Sequence, residues 1–260
     1  MARYYFITTL LPPLKLGASV EMTSRELDFF LKLNVSKEDL ERITVLRRKT
    51  DIENIRHFWL DESLDPGGNI GRKAIEACLF HHEFFPSYVF YFMEKYETKE
   101  ERLDHFPELL HAFFKKEIDQ NYGFVKDYLT FEREWRLVMT ALRAKALQRN
   151  FDEEFAFENK EDPFIAAILD QKNEPSYHPP EAFFELKELF EKYQKKPLLM
   201  LYELSLFRFN HIEKMAGDHL FDAYRVLAYV VQLEIVETWL KLDKKQGLTF
   251  IESVTRKGVQ

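Results

Sequence analysis

The sequence predicts a mainly α fold, and three observations predict it. Phe occurs 25 times and Gly 8 times, a ratio suited to aromatic packing between helices and ill suited to a turn-rich β sandwich. Apolar residues recur three and four apart over most of the length. Thr-x-x-Glu start signals precede two of these runs. Of the 260 residues 46% are hydrophobic and 31% charged, the balance of a chain that buries a core.

The elements follow in order. YYFITTLL, residues 4–11, is β-branched and aromatic; it predicts one short N-terminal strand or an extended arm laid on helices. Thr23-Ser24-Arg25-Glu26 has capping-box spacing, with Leu27, Phe30 and Leu31 behind it. Ser36-Lys37-Glu38-Asp39 opens a long helix through Leu40, Ile43, Val45 and Leu46 to about Leu60. DESLDPGGNIG, residues 61–71, is the clearest break. A helix with Ile75, Leu79, Phe80 and Phe84 runs up to Pro86, and SYVFYFMEKY continues after it. Thr98-Lys99-Glu100-Glu101 is a second capping box, and Pro107 opens a helix with Leu110, Phe113, Phe114 and Ile118.

A long helical run spans 122–150, with Leu129, Val138, Leu142 and Leu147 in phase. NFDEEFAFENKEDP is an acidic linker, FIAAILDQ a short helix and NEPSYHPPE a joint. Helices are predicted over 182–193, 198–209 and 218–242, with Gln246-Gly247 as a cap and GLTFIESVTR as a tail. The total is about ten to twelve helices. Three units are expected, over residues 1–65 (completed in part by C-terminal segments), 66–155 and 156–260.

Charge and cysteine usage narrow the function. A net charge of −7 opposes nucleic acid, whose binders need a basic face. Cys78 alone forms no internal disulfide and no cysteine zinc site, which fits a reducing cytosol. Pro12 and Pro13 interrupt the N-terminal apolar run before it takes signal-peptide form, and no stretch reaches the ~18 apolar residues of a span. A cytoplasmic chain is expected, with any membrane connection through a partner.

Several motifs bear on chemistry. DPGGNIGRKA carries Gly67, Gly68 and Gly71 before Arg72 and Lys73, but neither the P-loop nor the dinucleotide spacing, so a glycine turn opening a helix is the expected role. Glu108 and His111 have the Glu-x-x-His spacing of di-iron bundles, and His81 and Glu83 stand in LFHHEFFP. A second Glu-x-x-His is lacking, so no metal ligand, cofactor-binding residue or catalytic residue is assigned. Cys78 reads as a buried helix residue, and FFPSYVFYFMEKY as core.

Three segments look alike: Asp51-Ile52-Glu53-Asn54-Ile55-Arg56, Glu132-Arg133-Glu134-Trp135-Arg136-Leu137 and Glu234-Ile235-Val236-Glu237-Thr238-Trp239-Leu240. Their acids stand about 80 and then about 100 residues apart, as a helical unit used three times would place them. In them the chain resembles the C (or d) subunit of rotary V/A-type ATPases, which sets an acid, an Asn and an aliphatic residue, then Arg-Ala, on helices of three similar domains. Asp51, Asn54 and Ile55 match the first pattern. Glu132 with Arg143-Ala144 matches the second, with Trp135 in place of Asn. Glu234 and Glu237 resemble the third, with Thr238 at the Asn position. YYFITTLLPPLKLG with SVEMTSRELDFFL is similar to an uncharacterised bacterial family associated with V/A-type ATPase gene sets.

The resemblance implies a funnel-like, pseudo-three-fold α protein, not itself an enzyme and without cofactors. It would couple the central stalk to the membrane rotor ring of a proton- or sodium-translocating complex. The acid and Asn would then be structural, binding helix ends within each unit. The alternatives are an α-helical metal-binding enzyme using Glu108, His111, His81 and Glu83, and a free-standing helical adaptor.

Overall fold

A computed structural model of the chain describes residues 4–257, with side chains as far as Leu242. The described residues contain helices and turns and no strand, so the fold is mainly α. The helices are α1 (Tyr5–Leu10), α2 (Ser24–Asn34), α3 (Lys37–Trp59), α4 (Arg72–His81), α5 (Ser87–Lys95), α6 (Lys99–Asp104), α7 (Phe106–Gln120), α8 (Phe124–Ala146), α9 (Phe151–Glu154), α10 (Pro163–Leu169), α11 (Phe184–Tyr193), α12 (Pro197–Ala216) and α13 (Ala223–Lys257). A short 3-10 turn at Glu181–Phe183 precedes α11.

The capping chemistry is the one the sequence predicts. Thr23 accepts from the Glu26 amide while Glu26 accepts from the Thr23 amide, and Thr98 and Glu101 repeat the arrangement. Ser36 Oγ accepts from the Asp39 amide at 3.2 Å at the start of α3.

Three expected elements differ. Residues 4–11 form no strand; Tyr5–Leu10 is the helix α1. An apolar run this short has no period that separates strand from helix. Thr8 and Thr9 turn their hydroxyls back onto the carbonyls of Tyr4, Tyr5 and Phe6, and Ile7 alone is buried. The helix expected to reach Phe84 ends at His81, where His82 adopts φ 55° and closes it with a left-handed residue. Gly247 does not end α13, which continues to Lys257; a glycine inside a helix costs about 1 kcal/mol and stops it only in a left-handed turn.

The chain divides into two compact units, one of residues up to Ile43 with those from Lys196 onward, the other of Thr44–Lys195. Neither boundary coincides with the expected ones after residues 65 and 155. In the first unit α12 and α13 pack along each other, and α1 and α2 pack on α13. Leu27 and Leu31 of α2 and Val226, Leu227, Val230 and Leu233 of α13 are almost wholly buried there.

In the second unit α8 is the central rod, contacted by α7, α9, α10 and α11. Val125, Leu129, Val138 and Ala141 along α8 and Leu109 and Phe113 of α7 are at most 1% exposed. Side chains that deep each contribute roughly 1.5–3 kcal/mol of burial, apart from Ala. Among the described residues no helix is long and apolar enough to cross a membrane.

Candidate functional site

The site with the most buried polar chemistry lies in the second unit, on the stretch of α3 from Arg48 to Arg56. Asp51 and Asn54 are both 0% exposed, beside Ile52 and Ile55, also 0% exposed. A buried polar side chain must find partners or cost several kcal/mol. Both find them in the loop that follows α3. The Asn69 amide donates to Asp51 Oδ1 at 2.7 Å, the Ile70 amide to the same oxygen at 3.4 Å, and Asn69 Nδ2 to Asp51 Oδ2 at 2.6 Å. Asn54 grips Asp65 in both directions: its Nδ2 donates to the Asp65 carbonyl at 2.9 Å and its Oδ1 accepts from the Asp65 amide at 2.7 Å.

This accounts for the glycines that looked like a phosphate loop. Gly67 N donates to Asp65 Oδ1 and Gly68 N to the Asp65 carbonyl, while the Asn69 and Ile70 amides point at Asp51. The loop does hold an anion, and that anion is the protein's own carboxylate. Gly68 lies so close that a β-carbon there would stand 2.6 Å from Asp51 Oδ1 and 2.8 Å from Asn54 Nδ2. Gly71 caps α4, and Arg72 donates to the Glu62 carbonyl across the same loop.

Three ionic groups tie α3 and α8 to their neighbours. Arg48 binds Glu117 of α7 at 2.8 Å, and the Tyr88 hydroxyl of α5 donates to the same carboxylate at 3.0 Å. Between α3 and α8, Lys49 stands 3.9 Å from Glu53 and 3.6 Å from Glu132, while Arg136 stands 3.0 Å from Glu53 and 3.8 Å from Glu132. Two cations and two anions balance, which burial requires. Arg133 of α8 bridges Glu158 at 2.7 Å and Asp162 at 2.8 Å, with His111 Nδ1 3.1 Å from Glu158.

The electrostatics follow from burial and pairing. Burial pushes Asp51 up to about 6, against the bonds from Asn69 and Ile70. Burial would raise Glu53 too, but Lys49 and Arg136 overcome it and hold Glu53 at about 2. Burial and the Glu117 carboxylate push the Tyr88 phenol up. Glu158 stays below its ordinary value because His111 and Arg133 outweigh its burial.

The chain matches, over residues 1–257, the family described as a protein of unknown function, DUF2764. It belongs to the DUF2764 family. Uncharacterised proteins of Chlamydia trachomatis and Chlamydia muridarum are 27% and 28% identical, each over 95% of this chain and 96% of its own length. An uncharacterised protein of Chlamydia pneumoniae is 29% identical over 88% of both. No solved structure matches.

In this DUF2764 chain the three look-alike segments do different work. Asp51 holds a loop. Glu132, 0% exposed, faces Lys49 and Arg136. Glu237, in the first unit, accepts from the Ser24 amide at 2.9 Å and the Ser24 hydroxyl at 2.6 Å, and so holds the N-terminus of α2. Ala144 is buried and Arg143 exposed.

The metal candidates do not converge. Glu108 is bound by Lys95 at 2.7 Å and by the Tyr96 hydroxyl at 2.6 Å, while His111 faces Glu158. His81 closes α4, and Glu83 lies beyond it. Among the described residues no three His, Cys, Asp or Glu side chains are placed to hold a metal ion. Cys78 is partly exposed rather than buried.

Sequence reasoning missed Asp65 and Asn69, the receiving half of the clamp, because loop residues carry no periodic signal. It also missed the Lys49–Glu53 and Glu132–Arg136 pairs, which the i, i+4 spacing of opposite charges offers to a search.

Proposed function

We propose that this chain is a non-catalytic coupling subunit of a rotary V/A-type ATPase, linking the central stalk to the membrane rotor ring. Its helices would form three similar units in a funnel-like, pseudo-three-fold arrangement. The observation that carries this reading is the Asp51-x-x-Asn54-Ile55 pattern, the clearest point of resemblance to that family, together with what these side chains do. They bind a loop and pack a helix; they are fastenings.

The physical argument concerns stiffness. A part that transmits torque must resist bending and shear. Long helices supply the first: α3 and α8 have 23 residues each and α12 has 20, so each is roughly 30 Å long or more. Buried polar cross-links supply the second, because hydrogen-bond and ion-pair geometry is directional where apolar contact is not. The Lys49–Glu53–Glu132–Arg136 ladder fixes α3 against α8 in both register and rotation.

The test is co-purification from the chain's own host, with an affinity tag and gentle membrane solubilisation. Central-stalk and rotor-ring subunits should come down in fixed proportion. Depletion of the chain should leave ATP hydrolysis by the catalytic head in place and abolish ion pumping driven by it. An intact, ion-pumping ATPase recovered without this chain overturns the reading.

A further inference from the structure

We propose that a cavity of the first unit, between α12, α13 and the segment that follows α1, binds a small neutral polyhydroxy compound, a monosaccharide or a polyol. This site goes beyond the function proposed above and does not depend on it.

Arg225, Tyr229 and Gln232 stand four and then three residues apart on α13 and so share one face of it. Phe209 and Glu213, four apart on α12, meet that face. With Thr8 and the run Leu11-Pro12-Pro13-Leu14 they line a cavity of about 320 Å³, at the small end of the ~300–1,000 Å³ range of ligand sites. Tyr229 is 6% exposed, and its buried hydroxyl has no hydrogen-bond partner among the described residues. Burial, with the Glu21 carboxylate adding to it, pushes this phenol up to about 12, so it keeps its proton and can both donate and accept. Buried hydroxyls are hydrogen-bonded as a rule, and one that lines a cavity takes its partner from what enters the cavity.

The other polar groups decide the kind of ligand. Arg225 Nη1 donates to both oxygens of Glu213, at 2.8 and 3.0 Å, so the one cation and the one anion of the lining cancel. A cation entering the cavity meets Arg225 and an anion meets Glu213, with no unpaired countercharge for either. A neutral molecule meets neither penalty. Gln232, 4% exposed, donates its Nε2 hydrogens to the Phe209 carbonyl and to Glu213 Oε2, each at 3.2 Å, so what it offers a ligand is its carbonyl oxygen. Thr8 gives its proton to the Tyr4 carbonyl at 2.8 Å and likewise offers lone pairs. Pro12 and Pro13 bring no N–H. The lining is thus rich in acceptors and calls for a ligand with several donors. Leu11, Leu14, Phe209 and the two proline rings supply an apolar wall beside this polar one. A sugar ring or a polyol has that double character, with C–H bonds along its carbon frame and hydroxyls at its rim.

The test titrates the full chain with glucose, mannose and sorbitol as neutral probes, and with glucosamine and glucuronate, which put one charge of either sign on the same ring. Saturation-transfer NMR reads the binding. At least one neutral probe should bind at millimolar concentration, and both charged probes about tenfold more weakly than the best neutral one. Tyr229→Phe removes one oxygen and nothing else. It should weaken that probe about fivefold, the worth of one net hydrogen bond. It should also melt no lower than the wild type, because the hydroxyl has no partner in the fold to lose. The proposal falls if no neutral probe binds, if a charged probe binds as tightly as the best neutral one, or if Tyr229→Phe binds as the wild type does. A lower melting temperature for Tyr229→Phe also overturns it, since the hydroxyl would then be holding the protein together.

Discussion

Gly68 sits against Asp51 at a distance that admits no side chain: a β-carbon there would lie 2.6 Å from the carboxylate oxygen. The loop after α3 is therefore shaped by what it grips. Gly68→Ala forces either the loop or the Asp51 side chain to move, and both are held by hydrogen bonds. The expected loss is about 1–3 kcal/mol, with a lower urea midpoint and an unchanged slope. Gly71→Ser is the control. A β-carbon at Gly71 meets nothing within 4 Å, and serine suits its place at the head of α4, so stability should hold or rise slightly. Equal losses in the two variants would show that close approach is not what Gly68 provides.

The Asp51 carboxyl gives stability a defined pH dependence. Its pKa is raised from 3.8 to about 6 in the fold, so the folded state holds the proton more tightly than the unfolded chain. The contribution is complete below about pH 3.8 and is lost as pH rises through about 6. Relative to Asp51→Asn, the wild type should lose about 3 kcal/mol between those limits and stay level above them. Glu53 has the opposite sign: its stabilisation is present above about pH 4.5 and disappears as pH falls towards about 2. The windows barely overlap, so denaturant titrations at pH 4 and pH 7 isolate Asp51. A difference between wild type and Asp51→Asn that does not change with pH refutes the assignment.

The ladder between α3 and α8 should behave as a buried unit. Glu132→Gln leaves Lys49, only 8% exposed, with a carboxylate only at Glu53, whose side chain is 35% exposed. Removing one partner of a buried pair is expected to cost about 3–5 kcal/mol, whereas Lys49→Met combined with Glu132→Leu should recover most of that loss. The single-variant loss should persist in high salt, since ions screen buried pairs weakly. Thermal melts of the two variants, with and without molar salt, decide it. A double variant no more stable than the single one would mean that charge burial is not the governing term.

How much of this was legible in the sequence follows from which signals are local. The capping boxes at Thr23 and Thr98 are four-residue statements, and the fold honours both. The long helices announce themselves by period. The N-terminal run was misread because it is too short for a period and no neighbouring strand pairs with it. The end of α4 was misread because His82, not glycine, takes the left-handed conformation. At the site, Asp51 and Asn54 stood out as an acid and an amide beside an apolar stripe. Their targets did not, since Asp65 and Asn69 acquire meaning only when the loop folds back 11 to 18 residues later. The single acid-plus-apolar pattern also concealed three different tasks, because what a buried acid binds is set by the segment that comes to meet it.

The N-terminus of α2 supplies the last prediction. Its first amides have no partner within the helix. Glu237 accepts from Ser24 N and Oγ, and Thr23 Oγ accepts from Glu26 N at 3.4 Å. Glu237→Ala removes two charge-assisted bonds and should cost about 1.5–3 kcal/mol. Thr23→Ala removes one cap and should cost about 0.5–2 kcal/mol. The two act on neighbouring donors of one helical turn, so either loss frays the turn that the other also holds. The double variant should therefore lose less than the sum of the single losses, by a margin above the ~0.5 kcal/mol that independent sites show. Chemical denaturation of the four proteins in this cycle measures it. Strict additivity would show that Glu237 and Thr23 stabilise the chain separately, and that α2 is not held at its start by a shared fastening.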